Sequence, residues 1–118
     1  MKKILTIAGS PSGTSRSSAV LRLCASTLEE QSMDVSSLSV KDVPPEDLVY
    51  ANFESEALKK AQLLIEQADG IVVGTPVYKA SYTGVLKALL DLMPQYAFAG
   101  KTILPIATGG TITHLLSI

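Results

Sequence analysis

Apolar and polar positions alternate between two rhythms along the chain. Residues 3–8 hold Ile4, Leu5, Ile7 and Ala8 in a near-continuous apolar run, the pattern of a strand buried on both faces. Over 16–31 the spacing becomes helical, with Val20, Leu21, Cys24 and Leu28 on one face. Residues 34–40 predict a weaker strand whose apolar members are Val35, Leu38 and Val40. Pro44 and Pro45 break the pattern and predict a loop as far as Asn52. Ala57, Leu58, Ala61, Leu64, Ile65 and Ala68 then restore helical spacing over 55–67, with Gly70 placed to terminate the helix. Ile71-Val72-Val73-Gly74 reads as a short buried strand, Thr83-Gly84 opens a helix over 85–93, and Pro94 closes it. A fourth strand is predicted for 101–107, after which Thr108-Gly109-Gly110-Thr111 turns toward a further helix start.

Strands that alternate with helices imply right-handed crossovers and an α/β doubly wound parallel sheet covered on both faces. Such sheets bind ligands beyond the carboxyl ends of their strands. Three loops leave those ends, at residues 9–17, 75–83 and 108–114, and all are rich in Gly, Ser, Thr or Pro rather than in charge. Together they predict one site.

Composition narrows the picture. With 118 residues and 47% hydrophobic content, the chain is expected to be a single domain, 1–118, able to bury a core. A net charge of -1, with charges well mixed, argues against a nucleic-acid surface or a polybasic membrane patch. The apolar run after Met1-Lys2-Lys3 is too short for a signal peptide, and no stretch approaches a membrane span. Cys24 is the only cysteine, which excludes an intrachain disulfide and points to a reducing, cytoplasmic setting. Its place on the apolar face of the first helix predicts a buried small hydrophobe without chemistry. The acids are scattered with no His or Cys cluster, so no metal site is expected.

The first loop, Gly9-Ser10-Pro11-Ser12-Gly13-Thr14-Ser15-Arg16-Ser17-Ser18, joins a strand to a helix start. Backbone N–H groups of a first helical turn lack intrahelical partners and sit at the positive end of the macrodipole, so they favour an anion. The loop lacks the Gly-Lys-Ser/Thr ending of a P-loop, and its glycines do not make G-x-G-x-x-G. A lone phosphomonoester, such as that of FMN, suits it better; a plain N-cap at Thr14 or Ser15 is the structural alternative. The second loop places Pro76, Tyr78 and Tyr82 within a few positions, where a flat ring system can lie, although both tyrosines also suit half-buried packing. In the third, Gly109 and Gly110 let a ligand reach backbone N–H groups.

Taken jointly, Ala8-Gly9-Ser10-Pro11 with Ser15-Arg16-Ser17-Ser18, then Thr75-Pro76-Val77-Tyr78-Lys79-Ala80 with Tyr82 and Gly84, then Ala107-Thr108-Gly109-Gly110-Thr111 with His114-Leu115-Leu116, resemble the NADPH-dependent FMN reductases. Pro45-Glu46-Asp47-Leu48-Val49-Tyr50-Ala51 and Leu86-Lys87-Ala88-Leu89-Leu90-Asp91-Leu92 extend the resemblance to essentially the whole chain, and toward the sulfonate-assimilation branch. The resemblance implies a flavodoxin-like sheet of order 2-1-3-4-5 in which only 2-1-3-4 falls within these residues, the fifth strand and last helix being absent from them. A truncated chain is therefore expected. It implies NADPH-dependent reduction of FMN, with reduced flavin released to a partner monooxygenase.

By the same resemblance, Ser10, Ser15, Arg16 and Ser17 would hold the FMN phosphate. Pro76, Val77, Tyr78 and Lys79 would line the ribityl chain and one side of the ring. Thr108, Gly109, Gly110 and Thr111 would meet the pyrimidine edge. Hydride transfer between two rings needs alignment and charge stabilisation rather than a protein acid or base, so no catalytic side chain is expected. His114, in a first helical turn, reads as a structural or solvent-facing group more readily than as one near the flavin. The 85–93 helix is apolar nearly all round, which predicts a homodimer or tetramer built on it. Two alternatives stay open: a flavodoxin-type electron carrier that keeps its FMN, and an inactive flavin-binding fragment.

Overall fold

The computed structural model describes residues 1–12, 15–78 and 81–109. Within them β1 (Lys3–Ala8), β2 (Asp34–Ser39), β3 (Gly70–Pro76) and β4 (Thr102–Thr108) form a parallel sheet of order β2-β1-β3-β4. Leu5 of β1 lies opposite Ser36 on one side and Ile71 on the other, and Ile71 lies opposite Ile103 of β4. The parallel α/β sheet is the one expected from the alternation of elements, and its order is the flavodoxin-like one that the family resemblance implied. Because all strands run the same way, the loops after β1, β3 and β4 leave from one end of the sheet.

Alternate strand residues face opposite layers. Leu5, Ile7, Leu38 and Ile71 form the main core with Leu58, Ala61 and Ile65 of α3 (Glu56–Gln67) and with Leu86 and Leu89 of α4 (Gly84–Asp91). Each such buried side chain contributes roughly 1.5–3 kcal/mol through removal of apolar surface from water. On the other face α1 (Arg16–Glu30) packs Leu21 against Gly74, where a Cβ would fall 2.8 Å from Leu21 Cγ. Gly74 is what allows α1 to sit this close.

Several elements depart from the expected boundaries for identifiable reasons. β2 stops at Ser39, because Ser39 and Asp42 make a reciprocal capping box around a 3-10 turn, Val40–Asp42. The predicted loop to Asn52 contains a short helix, α2 (Pro45–Val49). Pro45 occupies its first position, where a missing N–H costs nothing, so the proline that suggested a break starts the element instead. Gly70 is not the terminator of α3 but the first residue of β3; Ala68 is the C-cap. The last carbonyls of α3 are met by Lys101 Nζ, which donates to Glu66 O at 3.0 Å and Ala68 O at 2.6 Å. β3 runs on to Pro76 because β4 continues to pair with it there, Pro76 lying opposite Thr108.

Two expectations about packing also change. Cys24 is half-buried rather than buried, at an apolar cavity of about 420 Å³ lined by Ile4, Leu23, Leu28, Met33, Val72 and Leu104. On α4, Leu86 and Leu89 are buried together with Leu92 and Met93 just beyond it, and Leu90 is half-buried against the core. The sheet and neighbouring loops thus cover more of this helix than its composition suggested, and Val85 stays exposed. No helix among the described residues is long and apolar enough to cross a membrane.

Candidate functional site

β1 delivers Gly9 to the head of α1, and Gly9 extends the ladder by donating from its N–H to Gly74 O at 2.7 Å. There is no room for a side chain at that point. A Cβ on Gly9 would lie 2.9 Å from Leu86 Cδ2 and 3.1 Å from Gly74 O. Ser10 follows, 2% exposed. Its hydroxyl donates to Ser12 O and accepts from Ser12 N, both at 3.0 Å, which folds the loop back on itself.

Ser15 is the N-cap of α1, accepting from Ser18 N at 3.2 Å. Its hydroxyl also donates to Ser18 Oγ at 3.0 Å and lies 3.1 Å from Ser17 Oγ. Ser17 is buried beneath, whereas Arg16 is exposed at the first helical position. No acidic residue stands in the first turn of α1, so nothing there opposes an anion at the positive end of the helix. Thr14 and Gly13 lie outside the described residues.

The second loop is tied to both its neighbours. Val77 N donates to Thr108 O at 2.9 Å, and the register sets Pro76 beside Thr108, so the exits of β3 and β4 travel together. Tyr78 and Ser81 exchange backbone hydrogen bonds at 3.0 and 3.2 Å. Pro76 and Val77 are half-buried and Tyr78 is 52% exposed, while Tyr82 is half-buried and packs on the core. Thr83 then caps α4 through Leu86 N at 3.1 Å. Gly109 is exposed just past β4. Lys79, Gly110, Thr111 and His114 lie outside the described residues.

The resolved pKa shifts fall elsewhere. The Asp69 carboxylate, at the opposite end of the sheet, is held below the ordinary range chiefly by accepting from Lys3 N at 2.8 Å. Lys87, on α4, is raised by its hydrogen bond to Asp91. Among the described residues no group of three or more His, Cys, Asp and Glu is arranged to hold a metal ion. The site is instead an assembly of backbone amides, hydroxyls, one guanidinium and the partly exposed Pro76, Val77 and Tyr78. It suits a ligand with an anionic group at one end and a planar ring at the other.

The family model for NADPH-dependent FMN reductases matches residues 2–118. The chain belongs to this family. It is 48% identical over 116 residues to the FMN reductase (NADPH) of Escherichia coli K12, covering 98% of this chain and 61% of that protein. To the FMN reductase (NADPH) of Pseudomonas putida KT2440 it is 48% identical over 115 residues, 98% of this chain and 58% of the relative. The chain therefore spans about 60% of the length of these curated relatives. Among solved structures, the apo form of the NADH:FMN oxidoreductase EMOB superposes with a TM-score of 0.88 at 40% identity, covering 98% of this chain and 62% of that one.

In this member of the FMN reductase family, the structure brings Ser10, Ser15, Arg16 and Ser17 to the same end of the sheet as Pro76, Val77, Tyr78, Thr108 and Gly109. Within the first group, Ser10 and Ser17 are buried beneath the loop and Arg16 is exposed. Two buried hydroxyls were missed by sequence reasoning, those of Thr75 and Thr83. Both flank the ring loop, and the Thr-Pro and Thr-Gly pairs that mark its two ends were the available signal.

Proposed function

We propose that this chain reduces FMN with NADPH and supplies the reduced flavin to a partner monooxygenase of the sulfonate-assimilation type. The observation that carries this reading is the convergence of the phosphate loop, the ring loop and the end of β4 at one end of the sheet, hydrogen-bonded to one another. Family membership supplies the chemistry, and the residues present fit the group. The first turn of α1, Ser15 and Arg16 hold the phosphate, with Ser10 and Ser17 shaping the loop. Pro76, Val77, Tyr78 and Lys79 line the ribityl chain and one side of the ring. Thr108, Gly109, Gly110 and Thr111 present amides to the pyrimidine edge, where negative charge develops on reduction.

FMN, when bound, accepts the hydride of NADPH. The protein's part is to align two rings and to exclude water from the space between them, which requires no titrating side chain. We further propose that residues 1–118 act as one domain in the cytoplasm. Copies of the chain assemble as a homodimer or tetramer through the α4 surface, where Val85 and Ala88 join Pro45, Leu48 and Val49 in an apolar groove.

Steady-state NADPH oxidation with excess free FMN tests the reading. A reductase turns over continuously, an electron carrier takes up at most one equivalent, and an inactive fragment oxidises nothing. Arg16→Ala should weaken FMN binding roughly tenfold or more through loss of a charge-assisted phosphate contact, and leave riboflavin binding unchanged. Equal loss of both flavins would move the phosphate elsewhere.

A further inference from the structure

The two principal ligand loops are joined underneath by a single buried side chain. Thr83 is 1% exposed, and its hydroxyl donates to Gly9 O at 2.6 Å across 74 positions of sequence. The same oxygen accepts from Leu86 N at 3.1 Å. Its backbone N–H donates to Thr75 Oγ1 at 3.2 Å, and that hydroxyl in turn donates to Pro76 O at 2.8 Å. Capping α4 requires only the bond from Leu86 N. The others do something else: the Gly9 carbonyl is the last peptide group before Ser10, and the Pro76 carbonyl is the last before Val77. Thr83 thus grips the exit of β1 with its side chain and the exit of β3, through Thr75, with its backbone.

We propose that Thr83 is a positioning residue that sets the spacing between the phosphate loop and the ring loop, and through it the affinity for a ligand that must touch both. This rests on the FMN reading of the site. A ligand with two anchors gains from having both only when the anchor points are held at the matching separation. FMN has a phosphate and a ring, whereas riboflavin has the ring without the phosphate. Loosening the tie therefore penalises FMN selectively, which a general loss of stability would not do.

Thr83→Val keeps the shape and removes the hydroxyl; Thr83→Ser keeps the hydroxyl. Ser55→Ala serves as the control, since Ser55 is another buried N-cap, accepting from Leu58 N and donating to Asp47, on α3. Flavin fluorescence titrations of the full chain should show Thr83→Val weakening FMN about tenfold and riboflavin less than about twofold, with Thr83→Ser restoring FMN to within about threefold. Ser55→Ala should lower the melting temperature with FMN affinity intact. If Thr83→Val does not fold, Thr75→Val breaks the other arm and should show the same selective loss. Equal losses for both flavins, an unchanged FMN affinity, or the same FMN loss in Ser55→Ala would overturn the proposal. A wild-type chain that bound neither flavin would refute the FMN reading instead. The tie is then read from amide exchange in the unliganded chain, where Thr83→Val must speed exchange at Gly9 and Thr75→Val at Val77, and unchanged exchange in both refutes it.

Discussion

On the α3 and α4 side of the sheet, Leu5, Ile7, Leu58, Ile65, Ile71 and Leu89 are all essentially inaccessible to water. On the α1 side, Leu21 and Val72 are buried, but Leu23 and Leu104 are largely exposed around an open apolar cavity. The strands are the same, and their side chains alternate, so the difference comes from the covering layer. Strands repeat every ~4.8 Å and a helix is ~10 Å across, so one helix covers about two strands. Two helices bury Leu38, Leu5, Ile7 and Ile71 of β2, β1 and β3 on one face, and leave Ile103 of β4 exposed. A single helix leaves the β4 side of the other face bare.

The largest expected effect contrasts one residue from each face. Leu89→Ala should cost about 2–5 kcal/mol in urea unfolding, because the closed layer cannot collapse into the space left behind. Leu104→Ala should cost less than about 1 kcal/mol, since its side chain is already half in water. Equal losses would break the comparison and mean that the α1 face is covered in solution.

A smaller effect asks whether open space relieves strain. Gly9→Ala drives a methyl group against Leu86 and a backbone carbonyl on the closed side, and should cost about 1–3 kcal/mol. Gly74→Ala meets Leu21 first, a side chain that borders an open cleft between α1 and β2 rather than a backbone carbonyl, so its cost should be the lower of the two. Thermal melts of both variants decide it, and the reverse order would show that α1 is held more rigidly than its cover suggests.

The smallest effect is independent of either face. Asp69 accepts from Lys3 N at the base of the sheet, and this holds its carboxyl below the ordinary range. Folding is therefore favoured by the ionised form: the contribution is complete above the ordinary carboxylate pKa and is lost as pH falls through the lowered one. Asp69→Asn should flatten the acid limb of a stability profile without altering the neutral plateau's response to Leu89→Ala. An unchanged acid limb would remove Asp69 from the acid response.

The order of elements and the end of the sheet at which the loops gather were legible in the sequence, because hydrophobic periodicity reports local geometry and the handedness of crossovers does the rest. Arg16 at the head of a helix and Thr108 at the end of a strand needed nothing more. Pro45 and Gly70 were misread because each has two meanings, breaker or starter for one and terminator or close-packing point for the other. Only the neighbours, Pro44 and Val40–Asp42 in one case and Ile4 in the other, select between them.

What the residues determine by themselves is periodicity, caps and the chemical character of each loop, all of which depend on neighbours within a few positions. Which hydroxyls stay exposed and which are buried beneath the loops is decided by tertiary structure alone. Ser10 and Ser17 look like donors in the sequence and are buried in the fold, whereas Thr83 looks like an ordinary helix cap and reaches Gly9. A hydrogen bond that spans 74 residues exists only once the sheet has brought its two ends together, and no local pattern encodes it.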